Sequence, residues 1–323
     1  MFILGLSGMI KLRAYQNRLV NDILSNMLRY KHIAAWASQG SGKSIVIGYM
    51  ALGAMKKKNK VLILTHRQEI LMQNMSKMES FGLNVQAITA KTKSIDLDVD
   101  CYCAMSQTIA SRIKKHQSWR DWLFSIPFVI IDECHINNHN VVLDATNPNS
   151  YRVGLSASML RSGGSQAQLA NYYDTIVKGD STKELIDLGF LTPSRNFAFQ
   201  APKMDNVRIS YSTGDYSQTQ MQKVFRKKER YSGILENYNK LTPNTKAIVF
   251  TTGSEHCVDI TKMFNEAGIK AKYLLSNKMP ETDEEFSGER EQLLKDFADN
   301  KFKVLVNISI LDTGFDEPSI ETV

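Results

Sequence analysis

Cysteine is scarce here: four in 323 residues, at positions 101, 103, 134 and 257. None is paired in a Cys-x-x-Cys spacing, which argues against a zinc site or a disulfide scaffold. Cys101 and Cys103 fall on one face of a predicted strand and read as buried thiols. Long apolar runs are absent too. The opening Met1 to Leu6 is briefly apolar, but it is shorter than the roughly 20 residues a membrane span requires, and no basic region precedes it. The chain therefore reads as cytosolic. Repeats and low-complexity tracts are also missing. Acidic residues number 33 against 40 basic ones, for a formal charge of +7 and a pI near 9.0. That balance permits a polyanionic partner without requiring one. With 43% hydrophobic and 23% charged residues the protein is of the soluble globular class. Its length exceeds what one core supports, so two domains are expected.

What is present is an alternation of strand and helix patterns. Apolar strand runs at 33–36, 61–64, 85–88, 101–105, 128–131 and 151–155 are separated by helical stretches. One helix runs from Lys43 through Met55 into Lys56-Lys57-Lys58. Another carries Ile70, Leu71, Met75 and Met78 on one face. Continuous β-branched runs of this kind predict a parallel sheet covered on both faces. Trp119, Trp122 and Phe124 read as core. From Phe190 to Pro243 the pattern loosens around Pro193, Pro202 and Gly214. It restarts with a strand at 246–250, a helix burying Cys257, Ile260 and Phe264 before Gly268, a strand at 272–275, a helix burying Leu293, Leu294 and Phe297, and a strand at 304–306. The expected organisation is a first domain over 1–190, a connecting region over 191–243 and a second, partial domain over 244–323.

Two motifs carry chemistry. Ala37-Ser38-Gln39-Gly40-Ser41-Gly42-Lys43-Ser44 ends one strand and opens a helix. In such a loop Gly40 and Gly42 let backbone N–H groups approach phosphate oxygens, and the helix N-terminus adds its positive end. Gln39 and Ser41 complete the cradle, Lys43 supplies a point charge, and the Ser44 hydroxyl is a ligand for Mg²⁺. The general pattern begins with Gly, where this chain has Ala37. Downstream, Val129-Ile130-Ile131 runs into Asp132-Glu133-Cys134-His135. Asp132 would hold Mg²⁺, Glu133 would polarise the attacking water, and His135 would face the nucleotide. Together the two motifs predict binding and hydrolysis of a nucleoside triphosphate, with ATP and Mg²⁺ as the cofactors.

These features resemble the superfamily 2 helicases and translocases, and the resemblance spans nearly the whole chain. It implies tandem RecA-like parallel-sheet α/β domains of the P-loop NTPase type, the second incomplete. Leu12 to Gln16 is similar to the family's adenine-reading motif, which assigns Gln16 to the adenine edge and Arg13 or Tyr15 to its ring. The Asp132 tetrapeptide is of the DExH type. Gly154-Leu155-Ser156-Ala157-Ser158 resembles the element that couples hydrolysis to strand movement, nominating Ser156 and Ser158; Met159 stands where relatives have Pro, and Arg161 fits the Arg that follows. Thr65-His66-Arg67 and Ser106-Gln107-Thr108 fall where relatives touch the nucleic-acid backbone, as do Thr251 and Thr252 in the second domain. Leu311 to Pro318 matches a Gly-Phe-Asp-x-Pro element, whose Gly314 and Asp316 in relatives meet the nucleotide across the interdomain cleft. Within the family the likeness runs toward phage branch-migration helicases of the UvsW kind.

The resemblance implies a monomer that moves on forked or branched DNA without sequence preference, in a host's cytoplasm if phage-encoded, with RNA, duplex translocation without strand separation and a nucleotide-dependent nucleic-acid-binding module as alternatives. The basic runs at 56–60 and 226–230 and the rings of Tyr211 and Tyr216 could meet nucleic acid, or could be solvated helix ends and packing groups. One family element is unmatched: Gln-x-x-Gly-Arg-x-x-Arg, the source of the arginine finger. Its absence from these residues leads to the expectation that they bind ATP better than they turn it over.

Overall fold

The predicted strands of the first unit assemble into one parallel sheet. In a computed structural model, residues 11–160, 169–199, 207–209, 216–225, 228–275, 290–308 and 317–323 are described, and the chain divides into two units, Met1–Arg195 and Asn196–Val323. The strands of unit 1 are β1 (His32–Trp36), β2 (Val61–Thr65), β3 (Val85–Ile88), β4 (Cys101–Met105), β5 (Phe128–Asp132), β6 (Tyr151–Ser156) and β7 (Thr175–Lys178). Their order is β3-β4-β2-β5-β6-β1-β7, with every pair parallel.

Both faces of the sheet are covered, and this explains the unbroken apolar runs. Val61 and Ile63 pack with Ile33, Cys101, Cys103 and Val153 on one face; Leu62 and Leu64 pack with Tyr102, Ala104, Val129 and Ile131 on the other. Helices α1 (Ala14–Asn26), α2 (Lys43–Met55) and α3 (Gln68–Ser80) cover the first face. Helices α4 (Ser106–Lys115), α5 (Gln117–Ser125) and α6 (Asn140–Ala145) cover the second. A short helix, α7 (Thr182–Asp187), follows β7.

One core expectation is corrected. Trp119 and Trp122 are buried, but Phe124 is 52% exposed. Trp119, Trp122 and Leu123 already fill the inward stripe of α5, and Phe124 falls on the opposite side of that helix. With Leu28 and Tyr151 it borders a groove of about 570 Å³ at the starting end of the strands.

In unit 2, α8 (Gln218–Phe225) and α9 (Lys228–Leu241) precede β8 (Ala247–Phe250), α10 (Ser254–Glu266), β9 (Ala271–Leu274), α11 (Arg290–Ala298) and β10 (Val304–Asn307). The described strands form a parallel sheet in the order β8-β10-β9. Tyr238 of α9 joins Cys257, Ile260 and Phe264 of α10 on one face; Leu293 and Phe297 of α11 cover the other. Lys246 is buried just ahead of β8, its Nζ donating to the Ala298 carbonyl at 3.2 Å and to Ser319 Oγ, 3.6 Å from Glu317.

Candidate active site

Sheet order builds the site. Strand β6 lies between β1 and β5, with Trp36 in register with Ser156 and Asp132 with Leu155. Parallel strands end on the same side, so the glycine loop after β1, the acidic turn after β5 and the Ser156 segment share one edge, where ligands of such sheets bind. Two backbone bonds fix them: Ala37 N donates to Ser156 O at 2.9 Å, and Cys134 N to Leu155 O at 3.1 Å. Gly154 makes that approach possible. A Cβ there would lie 2.5 Å from both Cys134 Cβ and Tyr173 Oη.

At the loop, Gly42 is left-handed (φ 78°) and caps α2, and its missing side chain leaves room for Gln16, whose Nε2 would meet a Cβ at 2.5 Å. Gln16 Nε2 donates to the Ser41 carbonyl at 2.9 Å and Tyr15 Oη donates to the same oxygen at 3.1 Å. Gln16 Oε1 also accepts from Arg13 N at 3.0 Å. Both side chains thus hold the loop from beneath. The Arg13 guanidinium sits 5.3 Å from the centroid of the Phe190 ring, which also packs on Tyr15 at 4.8 Å. Gln39 and Gly40 are exposed at the loop tip, and Ser44 is half-buried in the first turn of α2.

Across from the loop, Lys43 Nζ lies 3.0 Å from Glu133 Oε1. Ser156 Oγ donates to Glu133 Oε2 at 3.1 Å and accepts from Ser158 N at 3.1 Å. With its proton spent on the carboxylate, Ser156 accepts at 2.7 Å from His135 Nδ1, which also stands 3.4 Å from Glu133. Burial acts to raise the Glu133 carboxyl, but His135, Lys43 and Ser156 outweigh it and hold it down at about 2. Asp132 is buried beside it and is pushed up, first by burial and then by the Glu133 charge; Asn74 Nδ2 donates to Asp132 Oδ2 at 3.2 Å. A buried carboxylate disfavoured as a bare anion, next to the Ser44 turn, is a donor set that fits a hard divalent cation.

Lys43, Ser44, Asp132, Glu133, His135, Ser156 and Ser158 are thus brought together with the loop. The nucleic-acid candidates are more varied. Thr65 and Ser106 are fully buried, their hydroxyls engaged with Arg67 O at 3.0 Å and His139 Nδ1 at 2.6 Å. His66 and Arg67 are half-buried, and Gln107 is exposed. In unit 2, Thr251 is buried, donating to Asn307 O at 3.2 Å, and Thr252 Oγ1 lies 3.3 Å from His256 Nδ1. Gly314, Asp316, Arg161, Tyr211, Arg226 and Lys227 lie outside the described residues. Of the first basic run, Lys60 is spent on Val99 O at 2.9 Å and on Leu97 O.

Three site-forming residues had no signal in the sequence. Asn74 reaches Asp132 from the middle of α3, and Phe190 reaches Arg13 and Tyr15 from beyond α7. Asp180 ties its carbonyl to Ser38 Oγ at 2.8 Å and its carboxylate to Arg18 at 2.7 Å. Each depends on a long-range contact, which neither periodicity nor a local motif encodes.

Two family profiles match the chain: "Type III restriction enzyme, res subunit" over residues 9–161, and "Helicase conserved C-terminal domain" over 226–323. A 51.5 kDa protein of a Lactococcus phage is 27% identical over 286 residues, 86% of this chain and 55% of that one. The putative ATP-dependent helicase IRC3 of Saccharomyces cerevisiae is 25% identical over 334 residues, 97% of this chain and 46% of that one. The chain thus spans about half the length of the curated relatives it matches. Its fold is similar to that of S. cerevisiae Dbp5 bound to RNA and ADP BeF3, with a TM-score of 0.58 at 14% identity over 96% of this chain and 73% of that one. T4 UvsW aligns with a TM-score of 0.46 at 16% identity over 97% of this chain and 60% of that one. With a phosphate loop and a DExH turn meeting at one edge of a RecA-like sheet, the chain belongs to the superfamily 2 helicases, a family of ATP-hydrolysing enzymes.

Proposed function

We propose that the protein hydrolyses ATP with Mg²⁺ to drive movement along DNA, separating or remodelling strands at forks and branches. The observation that carries this reading is the Lys43–Glu133 pair at 3.0 Å between loop and turn. Across the site these two charges neutralise each other. A triphosphate on the loop would draw Lys43 to its phosphate oxygens and leave the Glu133 carboxylate to accept a hydrogen bond from the attacking water. Gly40 and Gly42 give the backbone N–H groups access to phosphate oxygens, and Ser44 and Asp132 would hold the magnesium ion, which supplies neutralising charge to those oxygens. His135 and Ser156 keep the Glu133 carboxylate aimed and ionised. Ser156 and Ser158 belong to the segment that would pass the chemical state on to strand movement.

Backbone phosphates would dominate the grip on nucleic acid, so binding would be sequence-independent and steeply salt-dependent. No helix among the described residues is long and apolar enough to cross a membrane. The reading is of a monomer working in the cytoplasm, a host's where the protein is phage-encoded.

A second reading, translocation along duplex DNA without strand separation, is favoured by the restriction-subunit profile over residues 9–161. Phosphate release by the full-length protein, with single-stranded, duplex and branched DNA and with RNA, tests the substrate class. Strand displacement on forked against blunt substrates separates the two readings, because a pure translocase frees no strand. Nucleic-acid-independent turnover would contradict both.

A further inference from the structure

Two of the residues nominated for the nucleic-acid backbone, Ser106 and His66, meet at a neighbour that no motif names, and a third, Gln107, is tied to His66. His139 is fully buried, and its Nδ1 lies 2.6 Å from the equally buried Ser106 Oγ at the start of α4. The His66 ring stands edge-on to the His139 ring, centroids 6.5 Å apart at 88°. Gln107, the exposed member, donates its Nε2 to the His66 carbonyl at 3.3 Å. The end of β2, the start of α4 and His139 therefore form one packed cluster.

The other side of the cluster is the acidic turn. His139 ends the 3-10 turn Asn137–His139, which Ile136 alone separates from His135. That segment is closed on itself: Ile136 N donates to Glu133 O at 3.0 Å and Asn140 N to Asn137 O. Little slack separates His139 from the side chains that aim Glu133. A hydrogen bond between two fully buried groups is costly to break, because either group left unpaired loses about 1–3 kcal/mol. Displacement of the α4 terminus should therefore carry His139 along, and with it the turn, before the bond parts, and His66 bears edge-on against the same ring.

We infer that His139 is a positioning residue that makes hydrolysis at Glu133 responsive to nucleic acid held at His66 and Gln107, an inference that rests on the function proposed above. His139 itself touches neither nucleotide nor nucleic acid. Its removal should uncouple the two sites while leaving each one working.

The test is phosphate release by the full-length protein, without nucleic acid and with saturating forked DNA, single-stranded DNA or RNA. His139→Leu should leave the basal rate, the KM for ATP and nucleic-acid affinity unchanged, and should cut stimulation at least about fivefold. His139→Asn, whose amide can still meet Ser106, should restore most of it. Ser106→Ala added to His139→Leu should lower stimulation no further, because both remove the same bond. If His139→Leu unfolds at assay temperature, His139→Phe, which keeps a ring against His66 but cannot meet Ser106, carries the test, with the same predicted loss of stimulation. Full stimulation in His139→Leu, or a parallel fall in basal and stimulated rates, overturns the inference and leaves the proposed function standing. A wild-type protein that no nucleic acid stimulates overturns the proposed function, and the inference with it.

Discussion

Glu133 occupies a left-handed backbone conformation, φ 54°, that side-chain-bearing residues seldom adopt. The turn keeps its carboxylate within reach of Lys43, His135 and Ser156 at once. Lys43→Ala should abolish phosphate release, whereas Glu133→Gln should retain bound nucleotide without turning it over; filter retention of labelled ATP beside a phosphate assay distinguishes the two. Because Glu133 is held at about 2 in the folded protein, it stays ionised through the whole neutral and mildly acidic range. Its contribution to stability is present above about 4.5, the ordinary carboxylate value, and is lost as pH falls toward about 2. Glu133 should accordingly contribute no acid limb to the pH–rate profile above about pH 4.5. The cysteines make a second residue-scale prediction. All four are buried free thiols, Cys257 is pushed up to about 12 by burial, and Cys101 is raised well above its ordinary value by a side-chain hydrogen bond with Cys103 and by burial. The folded protein should resist iodoacetamide at pH 8, and denaturant should expose all four thiols to it.

Between the residue and the molecule, single glycines and buried charges decide how elements meet. A methyl at position 154 would collide with Cys134 Cβ and Tyr173 Oη, pushing the acidic turn off β6. Gly154→Ala should cost about 1–3 kcal/mol in thermal unfolding, and should lower kcat more than it raises the KM for ATP. Lys246 plays a comparable part in unit 2. Its ammonium lies 4.7 Å from the Phe297 centroid and holds the segment around Ser319 and Glu317 against the start of β8. Replacing it with Met should destabilise that unit by about 2–3 kcal/mol, read as an earlier denaturant midpoint. Elements of this kind were legible to different degrees. The strand runs could be read because burial on both faces makes them apolar at every position, as in Val61–Thr65. The helix from Lys43 to Met55 could be read from its glycine loop and its basic end. Phe124 could not, because an apolar residue beside an already filled stripe looks the same in sequence as one inside it. Lys246 was equally opaque: a buried lysine is recognised only by the partners that surround it.

At the scale of the molecule, the described strands form two parallel sheets, of seven and three strands, each covered by helices on both faces. The candidate active site gathers on unit 1 because β1, β6 and β5 are spatial neighbours although far apart in sequence. That adjacency is why the two motifs could be paired by chemistry alone, while Asn74, Asp180 and Phe190, which complete the site, could not. With a formal charge of +7, stimulation by DNA should fall steeply as salt rises from 50 to 200 mM, by orders of magnitude if about six or more phosphates are contacted. The central claim is that one Mg–ATP complex is held between the glycine loop and the acidic turn and is hydrolysed there in response to nucleic acid. The most direct measurement is phosphate release by the wild-type protein and by Glu133→Gln at saturating ATP and DNA. The account predicts stimulated turnover in the first and none in the second, with ATP still bound to both; equal turnover in the two proteins would contradict it.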